Sequence, residues 1–369
     1  MADSNTKEIE YSYKLILDDI LEFPRSLKIC VDNYFSSNYR KLFQEIKELL
    51  KTSKISRILF IGNDFNYFGS LVAAHCLTCS SLLPFKFSWE SYEVSEFCDY
   101  ILPKKYDDGT LYILISKSGQ SRLISRIVEK LHLLKIDKNL TWFVTNSPDS
   151  SNAKKCGFVF PTFVETEVVH GTKTFHNTIF VLYLISELLL DRDPLSDGNF
   201  LRVEGVLDEM LSKISFYQDL SAKAAEFLGN DFRFLYFIFK GVSKGTAYNS
   251  VLLSLSLYRI FAEAISLGQI LPRSFEVSDK NICCIFLVNN EQADNIDYLP
   301  GNVKFITDQL GRLILISNNS TLISSLKNNP NMLLISYQCE ISALTPIFES
   351  VITQLILLEQ AKKAGIIIS

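Results

Sequence analysis

Six consecutive residues, Ser116-Lys117-Ser118-Gly119-Gln120-Ser121, concentrate chemistry in this chain. They follow the apolar run 111–115 (LYILI) and precede a segment with Leu123, Ile127, Val128 and Leu131 at helical spacing. A strand that turns through such a loop into a helix presents outward backbone N–H groups, rotatable hydroxyls and the positive end of a helix dipole. These are the donors a phosphate dianion needs. The plainer use of the same residues is a helix N-cap with spare serines. Glycine is scarce, 15 in 369 residues or about 4% against a usual ~7%, so a glycine among three serines favours an anion site. A second loop, Gly62-Asn63-Asp64, closes the apolar run 57–61 (RILFI) in the same way.

Both loops need a scaffold. Residues 1–54 read as helical, broken at Pro24 and around Ser36-Ser37-Asn38. Strand-like runs then alternate with helical ones at 57–61, 85–89, 111–115, 140–145 and 158–162. Near-continuous apolar strands separated by helices predict a parallel sheet covered on both faces. The polar stretch 191–199, with Pro194 and Gly198, marks a boundary, and a second α/β unit follows. Its predicted strands are 234–239, 282–288, 313–317 and 332–336, with one helix over 247–266 and a last helix over 346–364. The domain reading is a helical segment 1–54, a first domain 55–192 and a second domain 199–369. In open parallel sheets ligands bind beyond the carboxyl ends of the strands, which is where both loops fall.

Composition narrows the function classes. The chain has 37 basic and 41 acidic residues, net charge −4, and no block of Lys/Arg, so nucleic acid and anionic membrane surfaces are not expected partners. The longest near-apolar run, 179–190, has 12 residues and contains Ser186 and Glu187, short of the roughly 20 a membrane span needs. No apolar signal segment follows Met1, and the eight cysteines are scattered, which together predict a cytoplasmic protein with buried, reduced thiols. His75-Cys76-x-x-Cys79 is the one arrangement near metal spacing and has no second half, so no metal is expected. Nor is a cofactor.

The run from Ile115 to Ser121 resembles the signature of the SIS (sugar isomerase) domain family: strand, S-x-S-G-x-[S/T], helix. Other segments agree in order. Gly62-Asn63-Asp64-Phe65 occupies the place of the family's first glycine-rich loop. Val168 to Phe175 (VVHGTKTF) resembles the segment that opens the domain's last helix. Glu22-Phe23-Pro24 resembles an N-terminal helix break, and Thr345-Pro346 with Gln354-Leu355 resembles the last helix of a second SIS domain. The resemblance covers roughly residues 22–365 and is closest to double-SIS proteins. It implies two tandem doubly wound, flavodoxin-like α/β/α domains after an N-terminal helical segment. It also implies a small-molecule sugar phosphate as ligand and a homodimer as assembly.

Carried over residue by residue, the resemblance implies a sugar-phosphate site made by Gly62, Asn63, Ser116, Lys117, Ser118, Gly119, Gln120, Ser121, Val168, Thr172 and Ser256. Acid–base groups would come from Glu165, Glu167, Lys173 and Glu263, with His170 also near. Lys173 reads equally as a solvated helix-start lysine, and the glutamates as helix caps. The departures are specific. Asp64 stands where relatives carry a second glycine, and Phe65 where they carry a hydroxyl. Anchored on Ala262-Glu263-Ala264, Ser256 takes the place of the family's catalytic glutamate and Pro272 that of its histidine. Residues 364–369 carry no counterpart of the family's C-terminal lysine, and no glutaminase domain precedes the first helix. Two functions therefore stay open: an isomerase or deaminase of a hexose- or aminohexose-6-phosphate, and a non-catalytic sensor or partner subunit that keeps the binding loop and has lost the base.

Overall fold

A computed structural model describes residues 2–79, 87–168, 171–259, 261–273, 281–290, 299–309, 311–326 and 329–366. Three helices come first: α1 (Ala2–Leu21), α2 (Phe23–Tyr34) and α3 (Ser37–Thr52). The chain then alternates through β1 (Arg57–Gly62), α4 (Asp64–Cys79), β2 (Ser88–Glu93), the one-turn α5 (Val94–Glu96), β3 (Thr110–Ile115) and α6 (Arg122–Leu133). β4 (Thr141–Thr145), β5 (Phe158–Pro161) and α7 (Lys173–Leu189) complete the first half, and α8 (Asp197–Leu228) follows. The second half runs β6 (Phe234–Phe239), α9 (Lys244–Leu253), β7 (Ala262–Ser266), α10 (Leu267–Arg273), β8 (Ile282–Val288) and α11 (Leu299–Gln309). It ends with β9 (Leu313–Ser317), α12 (Ser320–Leu326), β10 (Met332–Ser336) and α13 (Thr345–Lys363).

Each half forms one five-stranded parallel sheet, ordered β2-β1-β3-β4-β5 and β7-β6-β8-β9-β10. The apolar runs explain the choice. All six residues of β3 and all seven of β8 are buried, because helices cover both faces of an all-parallel sheet. Strand order reverses between β1 and β3 in the first sheet, and between β6 and β8 in the second. These are the topological switch points where the loops after the strands part and leave a crevice.

The chain packs as two compact units, residues 25–203 and residues 1–24 with 204–369. The helical segment 1–54 is thus divided between them, and the border falls inside α8, beyond the polar stretch 191–199. In the first unit α7 is buried almost throughout and packs on α4, where Gly69 leaves a would-be Cβ only 3.2 Å from the Thr178 methyl. In the second unit α13 is the matching central helix, and α1 lies against it. Tyr13 donates a hydrogen bond to Glu359 Oε1, and Lys362 Nζ sits 4.0 Å from the centre of the Tyr13 ring. Residues 342–363, α13 with the turn before it, are long and apolar enough to cross a membrane, but 83% of that apolar window is buried among the unit's other elements.

Three expectations need correction. The predicted helix 247–266 does not exist as one element. α9 ends at Leu253, a π-helical turn spans Ser254–Tyr258, Arg259 takes a left-handed φ of 54°, and Ala262–Ser266 is an edge strand. The strand expected at 85–89 is Ser88–Glu93, and residues 85 and 86 lie outside the described set. Cys79 is exposed rather than buried, with its Sγ 3.2 Å from His75 Nε2, whereas Cys76 is buried.

Candidate functional site

The loop after β1 is shaped by close packing. A Cβ on Gly62 would lie 2.9 Å from backbone atoms of Asn66 and Tyr67, so glycine lets α4 start directly against the strand. Asp64 has φ 46°, the left-handed conformation, which Asp tolerates because its short polar side chain bonds locally. Here the Asn63 amide donates to Asp64 Oδ2 at 3.1 Å. The aspartate therefore fills a glycine-like backbone position without changing its shape, and its side chain is exposed. Phe65 is turned into the core, 7% exposed, and does not line the loop.

The loop after β3 is held by its carbonyls. Lys117 O accepts from Asn146 N at 3.0 Å and Thr145 Oγ1 at 3.1 Å, Gly119 O from Asn152 Nδ2 at 2.8 Å, and Ser121 O from Ser125 N at 2.9 Å. Ser116 N–H is spent on Val144 O at 2.9 Å and Gly119 N–H on Ser116 O at 3.2 Å, so what the loop offers outward is the exposed Ser118 and Gln120 at the start of α6. Gly119 stands at φ +63°, and Ser118 Oγ accepts weakly from Gln120 N at 3.3 Å. Ser118 and Gln120 are exposed, Ser121 is half-buried at the α6 N-cap without a cap bond, and Ser116 is buried. No acidic residue stands in the first turn of α6, so the dipole end stays positive.

The third wall is the segment from β5 to α7. Asn146, at the end of β4, fixes it twice: its Nδ2 donates to Val164 O at 2.5 Å and its Oδ1 accepts from Val164 N at 2.7 Å. Phe163 takes φ 52° there. Glu167 then turns inward, its side chain wholly buried. Its Oε1 accepts from Thr172 Oγ1 at 3.0 Å and Thr174 N at 2.9 Å. Its Oε2 accepts from Thr174 Oγ1 at 2.6 Å and from Lys117 Nζ at 2.6 Å. Glu167 thus caps the positive end of α7 and ties that end to the serine loop. Lys173 is buried, 3% exposed, which removes the solvated-lysine reading. Glu165 and Val168 are exposed, and His170 lies outside the described residues.

The structure thereby brings Gly62, Asn63, Ser116–Ser121, Glu167, Thr172 and Lys173 to one edge of the first sheet. Asn146, Thr145 and Asn152 were not anticipated, although a polar Thr-Asn-Ser directly after an apolar strand was a readable signal. In the second unit Ser256 is exposed in the π-helical turn, and its Oγ bonds back to Leu253 O at 3.2 Å. Glu263 is exposed on the edge strand β7, so the two do not share a helix face. Pro272 lies in α10. At the equivalent place in the second sheet β8 runs into Asn289-Asn290 rather than into serines, and residues 291–298 lie outside the described set. Among the described residues beside it, the wholly buried Glu349 accepts from Ser243 Oγ at 2.8 Å and Tyr337 OH at 3.1 Å. Among the described residues no three His, Cys, Asp or Glu side chains gather as metal ligands.

His176, one turn into α7, is 1% exposed, and burial pushes its imidazole down from 6.5 to about 3. The folded chain holds it neutral while the unfolded chain protonates it near 6.5. Its contribution to stability is therefore intact above that pH and is lost as the pH falls toward 3. The expected loss between pH 7.5 and pH 5 is about 2 kcal/mol. Urea unfolding at both pH values checks this: His176→Leu should reduce the difference by that amount, and an unchanged difference would refute it.

No protein-family model matches the sequence, and no curated protein matches it. Solved structures do match its fold. The C-terminal domain of glucosamine-fructose-6-phosphate aminotransferase from Francisella tularensis superposes at TM-score 0.77 with 19% identity over 94% of both chains. Tagatose-6-phosphate ketose/aldose isomerase from Escherichia coli matches at TM-score 0.73 with 14% identity, over 94% of this chain and 92% of its own. Glucosamine-6-phosphate deaminase from Thermotoga maritima matches at TM-score 0.65 with 16% identity over 95% of both. The chain has the tandem SIS-domain fold of these proteins.

Proposed function

We propose that this chain binds a hexose- or aminohexose-6-phosphate at the switch point of its first sheet, and does so without isomerising or deaminating it. The binding half of the reading is carried by the Ser116–Ser121 loop, pinned through the Lys117 and Gly119 carbonyls to residues 145, 146 and 152, with Ser118 and Gln120 exposed at the start of α6. Phosphate at such a helix start is favoured by both the N–H groups and the dipole. The hexose-6-phosphate class is supported by the names of the three similar structures, each of which specifies a hexose 6-phosphate or its amino derivative.

The non-catalytic half follows from where the carboxylates are. Moving a proton between adjacent sugar carbons needs a base within reach of the substrate. Both oxygens of Glu167 are engaged by donors and its side chain is inaccessible. Ser256 offers a hydroxyl, which cannot abstract a carbon-bound proton at neutral pH, and its Oγ is turned back onto its own helix. Of the acid–base groups the resemblance implied, Glu165, Lys173 and Glu263 are the ones among the described residues that an isomerase or deaminase could still recruit, and His170 lies outside them.

Two measurements test this together. Inorganic phosphate, glucosamine-6-phosphate and fructose-6-phosphate should each raise the melting temperature, while glucose and glucosamine should not. A ligand at 100 times its Kd adds about 2.7 kcal/mol. Equal shifts with glucose and glucose-6-phosphate would sink the phosphate reading. NMR of a C1 proton of fructose-6-phosphate or the C2 proton of glucosamine-6-phosphate in deuterated solvent should show no protein-dependent exchange. Exchange that disappears in Glu165→Gln or Glu263→Gln would restore the catalytic reading.

A further inference from the structure

Lys117 sits inside the serine loop and is the one cation there, yet its Nζ donates to Glu167 Oε2 at 2.6 Å. The two partners differ in exposure. The Glu167 side chain is wholly buried, whereas 26% of the Lys117 side chain remains accessible, on the same loop that exposes Ser118 and Gln120. The Lys117 backbone is fixed to the end of β4 through its carbonyl, so only its side chain can respond to a ligand.

We infer that Glu167 is a built-in rival of the bound phosphate for Lys117, and so sets the anion affinity of the loop. This rests on the serine loop being the phosphate site. With Glu167 beside it, Lys117 presents an approaching dianion with an ion pair, whose attraction falls off faster than that of a bare ammonium. Glu167 has other donors, Thr172 Oγ1 and both the N–H and Oγ1 of Thr174, so it can share the Lys117 ammonium with a ligand, whereas outright loss of that ammonium leaves its charge uncompensated. The two equilibria are then linked: whatever strengthens the Lys117–Glu167 pair weakens phosphate binding, and bound phosphate loosens the tie between the loop and the start of α7. Linkage of this kind is reciprocal in free energy.

Titration calorimetry with inorganic phosphate tests the pair. Glu167→Gln keeps the size and one of the two acceptor oxygens but removes the charge, and should bind phosphate about fivefold or more tighter than wild type. Lys117→Gln should bind more weakly, and the double variant Lys117→Gln/Glu167→Gln should bind like Lys117→Gln alone, because no ammonium is left to release. Unchanged or weaker binding by Glu167→Gln overturns the inference, as does tightening that persists in the double variant. Should Glu167→Gln fail to fold, Glu167→Asp keeps the charge beside the start of α7 and draws it back from Lys117 by one methylene. It should tighten binding by a smaller factor, and no tightening there overturns the inference too. If wild type itself shows no phosphate binding, the proposed function fails first. If wild type binds and Glu167→Gln changes nothing, only the rivalry fails.

Discussion

Gly119→Ala is expected to lose about 3–4 kcal/mol of stability and to abolish phosphate binding. Two costs combine at this position. A non-glycine residue at φ +63° pays roughly 1–2 kcal/mol for the left-handed conformation. The new Cβ would also sit 2.3 Å from Ser150 Oγ and 2.8 Å from Ser150 Cβ, an overlap of the kind that costs about 1–3 kcal/mol when the neighbour must move. Ser150 cannot move freely, because its Oγ accepts from Ala153 N at 3.3 Å and its N–H donates to Ser147 O at 3.0 Å. The loop must therefore shift, and its outward donors shift with it. Gly119→Ala combined with Ser150→Gly removes the overlap but not the left-handed strain, and should recover about half the stability. Chemical denaturation and phosphate titration of both variants read this out. A Gly119→Ala protein that keeps wild-type stability and affinity would show that the loop does not need its observed turn.

Lys117→Met is expected to destabilise the first unit by about 3 kcal/mol. Removing one partner of a buried ion pair leaves the other charge uncompensated, typically at 3–5 kcal/mol. The lower end applies because a quarter of the lysine side chain is exposed and the α7 N-terminus still supports the carboxylate. The test is the double variant: Lys117→Met/Glu167→Gln has no charge to strand and should regain most of the loss. Urea midpoints at pH 7 decide the matter. Equal destabilisation in the single and double variants would mean that Lys117 contributes through its aliphatic stem rather than its charge.

The sheets were legible because each strand is an apolar run too continuous for anything but a two-face-covered sheet, as β3 and β8 show. The serine loop was legible for a different reason: six adjacent residues contain the turn glycine, the hydroxyls and the helix start together. What could not be read was anything depending on contacts across the chain. Glu165 and Glu167 are two residues apart and look alike in sequence, yet one is exposed and the other is buried under Lys117, some fifty positions earlier. Asn146 stands in a polar Thr-Asn-Ser after an apolar strand, but the partner it fastens appears only when β4 lies beside residues 162–164. The helix over 247–266 was misread because local pattern in the second half is ambiguous. Ser254–Tyr258 is a π-helical turn, and the left-handed Arg259 that follows is not a residue that announces such a bend.

The pairing of Tyr13 with Glu359 and Lys362 also sets a schedule for biosynthesis. At roughly 5–20 residues per second, the ribosome makes α1 first and does not finish its partner helix until about 20–70 seconds later. Residues 25–203 contain their whole sheet and its cover, so that unit can fold while translation continues. During the same interval α1, with Ile16 and Ile20 destined for burial, must wait with apolar surface uncovered. Nascent chains stalled before codon 345 should therefore hold a folded middle and a protease-sensitive beginning. Release of the last helix should protect the first.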